Sequence, residues 1–151
     1  MKPRYDVGII ACTRGKNPTG LTPLTLYKGT PFVVAMRHAQ QRCGTILILS
    51  AKYGLLRTDD PVSYYDAYIP DLDAQGRQAL VDRIRAEPWV ELYAGKRILS
   101  YLPEAYFKLL AEAKPALAAT ISRPYRGLNM LALARTLSNE QKGYGIYPQR
   151  R

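Results

Sequence analysis

Histidine is nearly absent from this chain, one in 151 residues, and cysteine occurs only twice. These scarcities exclude whole classes of chemistry. A structural zinc normally takes four Cys or His ligands, and Cys12 and Cys43 form no CxxC pair. With His38 they fall short of a ligand set, so neither a metal nor another cofactor is expected. A Ser–His–Asp order finds no support in a single histidine beside Arg37 on a predicted helix, where it reads as a helix-surface residue. Both cysteines end predicted apolar elements and read as buried free thiols. Long apolar runs are missing too. None reaches the roughly 18 to 20 residues that span a bilayer, so no membrane partner is expected. The opening MKPRYDVGIIACTRGK fits a strand better than a signal peptide, since Asp6 precedes its short apolar run and no small-residue cleavage site follows. A cytoplasmic location is expected.

Acidic residues are the other deficit: 12 Asp and Glu against 22 Lys and Arg, a formal net charge of +10. Such an excess draws a protein toward phosphates, because each neutralised phosphate releases condensed counterions. A solvated basic surface that aids solubility is the alternative. Acidic lipid fits less well, since no basic helix carries a bulky apolar face. Apolar residues, by contrast, make up 47% of the chain, which argues against disorder. The length suits one domain over residues 1–151, with 143–151 as a flexible basic tail.

Along the chain, Tyr5 to Cys12 and Thr45 to Ser50 are short, apolar and β-branched, and read as buried strands. Pro31, with Phe32, Val33, Met36 and Ala39 inward, predicts a helix ending near Cys43 and Gly44. AKYGLL, residues 51–56, reads as a turn. Asp73 caps a predicted helix from Ala74 to Glu87 with Leu80, Val81 and Ile84 inward. Lys96 to Leu102 predicts a third strand, Pro103 and Glu104 open a helix through Ala113, and Leu117 to Ser122 predicts a fourth strand. Gly127 to Lys142 carries a last helical pattern. Strands alternating with helices predict a single three-layer α/β domain around a mostly parallel sheet of about four strands.

In such folds ligands bind beyond the carboxyl ends of the strands, and three polar segments fall there. CTRGKNPTG, from Cys12 to Gly20, offers small residues for close backbone approach to an anion, with Lys16 as a point charge and Cys12 and Thr13 at the strand end. It lacks the spacing of a phosphate-binding GxxxxGK[ST] loop, and the chain has no GxGxxG. SAKYGLLRTDDPVSYYD, from Ser50 to Asp66, places Ser50 and Lys52 directly after a buried strand. Arg57 is its candidate phosphate clamp. Tyr53, Tyr64 and Tyr65 are candidate stacking platforms, and Asp59, Asp60 and Asp66 are candidate carboxylates for orienting a water. The alternative is structural, with Asp59 and Asp60 building a turn before Pro61 and the tyrosines packing on the domain. SRPYRGLN, from Ser122 to Asn129, puts Arg123 and Arg126 just before a helix start, a favourable place for phosphate.

The segment TILILSAKYGLLRTDDPVSYYDAYI resembles the stretch of the YaaA peroxide-stress family that reads ILSGLYGLLRP, then an Asp, then PYR. It resembles still more a related set of short bacterial and phage proteins with an SCxxK motif, an ELYxSxLF-like segment, ILSAKYGLL, PYD and a late PLxGL. The counterparts here are Cys12 with Lys16, Leu26 and Tyr27 with Phe32, Leu47 to Leu56, Tyr65 with Asp66, and Pro124 to Leu128. They fall in order over roughly residues 7 to 137, the central match being the specific one. The resemblance implies an α/β fold, kinship to the uracil-DNA-glycosylase-like fold, and DNA binding that limits oxidative DNA damage. This chain is shorter than YaaA and shows no helix-hairpin-helix, and Tyr64 stands where PYD has proline.

Residues and resemblance together predict a DNA- or nucleotide-directed protein whose site is built from the three segments. Lys16, Arg57, Arg123 and Arg126 are expected to hold phosphate, and Tyr27, Tyr53 and Tyr65 to contact base or sugar. Cys12, Thr13 and Ser50 are expected at the strand-end pocket. Asp66, Asp59 and Lys52 are the catalytic candidates, for metal-independent cleavage of an N-glycosidic bond or modification of a base. The alternatives are a non-catalytic, protective DNA-binding module and a basic regulator that docks on an acidic protein.

Overall fold

The structure is a computed structural model that describes residues 4–12 and 16–144, with side chains described as far as residue 140. Thr13 and residues 145–151 of the expected tail lie outside the described residues. The architecture begins with β1 (Tyr5–Ala11), a short helix α1 (Pro23–Leu26) and α2 (Thr30–Arg42), which returns the chain to β2 (Cys43–Ser50). β3 (Gly54–Arg57), α3 (Ala74–Arg85), β4 (Ile98–Ser100), α4 (Glu104–Ala113), a short α5 (Pro115–Ala118), β5 (Ile121–Ser122) and α6 (Met130–Tyr144) follow. Short 3-10 helices cover Ile69–Asp71 and Pro88–Tyr93.

The five strands lie in the order β3-β2-β1-β4-β5. β1 pairs in parallel with β2 and β4, and β4 with β5, so Ile9 sits opposite both Leu47 and Ser100. Val7, Ile9, Ile10, Leu47, Ile48, Leu49, Ile98 and Leu99 are all at most 1% exposed, as strands covered on both faces must be. α2 packs against α6 and both central strands, while α3 packs against α4, which gives the helical layers. Gly8 opens the middle of β1: a Cβ there would stand 2.7 Å from Cys43 Sγ and 3.5 Å from the Tyr101 ring, so the missing side chain makes room for both.

Helix starts follow their capping signals. Asp73 accepts the Gly76 N–H at 2.7 Å ahead of α3, and Asn129 accepts the Ala132 N–H at 2.8 Å ahead of α6. α6 begins at Met130 rather than Gly127, because Gly127 has φ of +85° and closes the preceding turn in the left-handed region. Four further expectations need correction. The sheet has five strands, since the 51–56 turn continues into an antiparallel partner for β2. The fourth parallel strand is only Ile121–Ser122, because Pro115 opens a helical turn in the alanine-rich stretch before it. Val33 is 39% exposed; the buried stripe of α2 runs through Phe32, Ala35, Met36 and Ala39. α6 also continues to Tyr144, two residues into the expected tail.

Candidate functional site

The carboxyl ends of β1 and β2 meet one returning loop. Beyond the described part of β1, Lys16 and Tyr27 form an antiparallel bridge, and Asn17 N–H donates to the Leu26 carbonyl at 2.7 Å. Cys12 N–H donates to Leu49 O, so the end of β1 stays bound to β2. From the other side, β2 turns through Ala51, Lys52 and Tyr53 into Gly54, whose φ of +78° closes the hairpin. Val62 N–H donates to Leu21 O and ties the loop after β3 to the loop after β1.

At this junction four of the expected site residues, Cys12, Tyr27, Ser50 and Tyr65, are buried together. The Tyr65 hydroxyl lies 2.9 Å from Ser50 Oγ and 2.6 Å from the Tyr27 hydroxyl. Ser50 Oγ already accepts the N–H groups of Lys52 and Tyr53, at 3.2 and 3.1 Å. A hydroxyl has two lone pairs and one proton. Ser50 therefore donates to Tyr65, whose hydroxyl shares a further hydrogen bond with that of Tyr27. Burial raises both tyrosine pKa values, so the hydroxyls stay protonated. Burial also pushes the Cys12 thiol up to about 11, against the Ala51 N–H and Lys16, which leaves a neutral thiol rather than a nucleophile.

The charged groups lie around this plug. Lys16, itself only 9% exposed, donates from Nζ to Ala67 O at 3.2 Å and stands 4.5 Å above the Tyr65 ring. It opens on a cleft of about 360 Å³ shared with Asp66, Ala67, Tyr68, Asp71 and Leu72. Asp66 is exposed there. Lys52 is exposed at the hairpin turn, its ammonium 5.2 Å from the Tyr53 ring. Tyr53 packs edge-on against Tyr65 with centroids 5.6 Å apart. Its hydroxyl accepts the Ser63 N–H and lies 3.2 Å from Ser63 Oγ. Those Ser63 bonds lower the Tyr53 pKa. Tyr64, beside it, is 48% exposed.

The other expected site residues do not converge here. Arg57 pairs with Leu47, three residues back from the end of β2, roughly 10 Å along the strand from Ser50. Its guanidinium instead covers the Trp89 ring at 4.6 Å. Asp60 accepts the Arg57 N–H at 2.8 Å and closes a turn, and Asp59 is exposed beside it. Arg123 and Arg126 follow β5, three strands from β2 and so roughly 14 Å across the sheet. Arg123 pairs with Glu104 at 2.7 Å and lies 3.6 Å over the Phe107 ring, while Arg126 is exposed. Among the described residues, no group of three or more His, Cys, Asp or Glu is placed to hold a metal ion.

His38 was expected on a helix surface, and the structure corrects that: it is 1% exposed. Nδ1 lies 2.8 Å from the Tyr101 hydroxyl and Nε2 3.0 Å from Glu140 Oε1, which also accepts the Tyr125 hydroxyl at 3.0 Å. Burial outweighs the Glu140 bond and lowers the imidazole pKa, so the ring is neutral, with its proton on Nε2 and Tyr101 donating to Nδ1. One signal for this was present in the sequence. Residue 38 follows Ala35 by three, on the border of the buried stripe of α2. Glu140 lies 102 residues further on, a separation that no local pattern bridges.

A protein family described as a family of unknown function, DUF6884, matches residues 7–139. No curated protein and no solved structure matches the chain.

Proposed function

The chain belongs to the DUF6884 family, and we propose that it binds nucleotides or nucleic acid at the carboxyl ends of β1 and β2. One observation carries this reading: an ammonium, Lys16, is fixed by the Ala67 carbonyl and the Tyr65 ring at the wall of a cleft that also holds the exposed carboxylate of Asp66. That pairing sits where ligands bind in parallel α/β sheets. Lys16 and Lys52 take phosphate and Tyr53 meets base or sugar. Asp66 orients a water in any turnover, for which cleavage of an N-glycosidic bond suits a carboxylate beside a cation. The net charge of +10 supplies long-range attraction. The resemblance to the YaaA family, with its DNA protection and uracil-DNA-glycosylase-like kinship, supports the same reading. No described helix is long and apolar enough to cross a membrane.

Binding without turnover is the second reading, and a specific observation favours it. The hydroxyls of Ser50, Tyr65 and Tyr27 are engaged with one another, so the polar groups left to meet a ligand are mainly charges. A single series separates the two. Oligonucleotides and nucleotides are titrated at low and high salt against the wild-type protein and a Lys16→Met, Lys52→Ala variant, with released base followed by mass spectrometry. The site assignment requires about tenfold weaker binding in the variant, and a shallower salt dependence. Unchanged salt-dependent binding in a folded variant would overturn it. Base release that disappears in Asp66→Asn while binding persists selects the catalytic reading.

A further inference from the structure

A cavity of about 600 Å³ outside the candidate site is lined by Arg4, Tyr5, Arg42, Leu99, Pro124, Tyr125, Leu128, Thr136 and Glu140. It gathers residues from the start of β1, the end of α2, the middle of β4, the turn before α6 and α6 itself. Its volume lies within the usual range for small-molecule pockets, roughly 300 to 1,000 Å³. Neither β2–β3 nor the Lys16 cleft contributes to it.

Its chemistry is specific. Two guanidiniums, Arg4 and Arg42, and one carboxylate, Glu140, share the walls, so the lining carries a net positive charge. Glu140 is held in place from within the protein: Oε1 takes His38 Nε2, the Tyr125 hydroxyl and, at 3.8 Å, Arg42. Behind His38 stands Tyr101, whose ring stacks on Tyr125 at 5.6 Å and 19°. Buried, aligned groups thus orient a carboxylate that remains 33% exposed, while Oε2 takes no bond among the described residues. Oε1 is saturated, so bidentate recognition of two adjacent donors is not available, and one acceptor remains. Leu99, Pro124 and Leu128 supply apolar surface.

We propose that this cavity is a second ligand site. It takes a small molecule with an anionic head group for Arg4 and Arg42, one N–H or O–H donor for Glu140 Oε2, and a compact apolar body. A guanidinium fork accepts carboxylate and phosphate alike, so the head group can be either.

The test uses the full chain, isotope-labelled for NMR, and three probes: L-phenylalanine, adenosine 5′-monophosphate, and acetate as an anion without a donor. L-phenylalanine or the nucleotide should saturate with a Kd of about 1 mM or tighter, shifting Leu128 and Thr136 amides, while acetate binds more weakly. The probe that saturates identifies the head group as carboxylate or phosphate. Arg4→Ala keeps the backbone bond from Arg4 N–H to Arg42 O and should weaken that probe about tenfold. Glu140→Gln removes one negative charge beside Arg42 as well as the acceptor, so it should strengthen acetate and narrow the advantage of that probe over it. The proposal is overturned if neither probe shifts those amides, a nucleotide that shifts only residues around the Lys16 cleft counting as no shift, or if Arg4→Ala leaves binding unchanged.

Discussion

Tyr65 shows how a residue read as a base-stacking platform becomes part of a plug. Its ring is 6% exposed and its hydroxyl bridges Ser50 and Tyr27, with Tyr53 edge-on to one side and the Lys16 ammonium over its face. Replacing it by phenylalanine keeps the ring contacts and removes the bridge, leaving the Ser50 and Tyr27 hydroxyls without their partner. Leaving buried hydroxyls unsatisfied costs roughly 1–3 kcal/mol. Tyr65→Phe is therefore expected to lower the unfolding free energy by that amount in a urea titration with an unchanged slope. A loss below about 0.5 kcal/mol would mean that the hydroxyl chain contributes less than an ordinary hydrogen bond. The sequence pointed to Tyr65, Ser50, Cys12 and Lys16 because they follow or match a strand-end motif. It did not reveal that the first three face one another, since their contacts span 15 to 53 positions.

At the scale of elements, β3 is the part of the sheet least visible in the sequence and the one with the clearest protective device. As the edge strand beside β2, it turns the N–H groups of Leu55 and Arg57 outward. Both are occupied by carboxylates, Glu87 Oε1 at 3.3 Å and Asp60 Oδ2 at 2.8 Å. Asp60, counted among the carboxylates for water activation, thus serves the backbone, as its position before Pro61 allowed. Exposed edges template pairing with other chains, and natural sheets block them. An Asp60→Ala, Glu87→Ala variant is expected to associate at concentrations where the wild-type protein does not, as followed by light scattering. An unchanged size distribution would show that the edge is guarded by other means, such as the Arg57 side chain on Trp89. The hairpin was hard to read because its loop contains a lysine and a tyrosine before Gly54, rather than an Asn-Gly or Asp-Gly pair.

For the whole molecule, the two ends of the pH scale act through different buried groups. His38 has its imidazole pKa lowered from 6.5 by burial, so below that pH the unfolded chain takes up a proton that the folded one resists, and stability falls with pH. Cys12 and Cys43 have thiols pushed from 9.0 up to about 11 by burial. Above pH 9 the unfolded chain loses protons that the folded one keeps, so stability falls as pH rises toward 11. Stability measured by urea unfolding is therefore expected to be greatest between about pH 6.5 and 9. Glu87, whose carboxyl pKa burial raises, acts in the opposite sense to His38 at acid pH. The imidazole itself settles the acid side: as the chain has one histidine, its NMR titration reports His38 alone, and a midpoint at or above 6.5 would contradict the buried neutral ring.

Local pattern determined the parallel core. Tyr5–Ala11 and Cys43–Ser50 are short β-branched runs, α2, α3 and α4 repeat apolar residues at helical spacing, and Asp73 caps where it was read to cap. The strand-end rule then drew attention to Cys12 and Ser50, which are buried beside Tyr65, and to Lys16 and Asp66, which line one cleft. Tertiary structure alone decided the rest. Arg57, Arg123 and Arg126 share a charge type with Lys16, but register puts Arg57 roughly 10 Å back along the sheet from Ser50, and strand order puts the two arginines after β5 roughly 14 Å across it from β2. His38, dismissed from its local surroundings, acquired Tyr101 and Glu140 only when α2, α6 and the end of β4 packed together. Periodicity encodes which face of an element is buried. Which polar groups meet inside depends on sheet order and helix packing, and those are set by the whole chain.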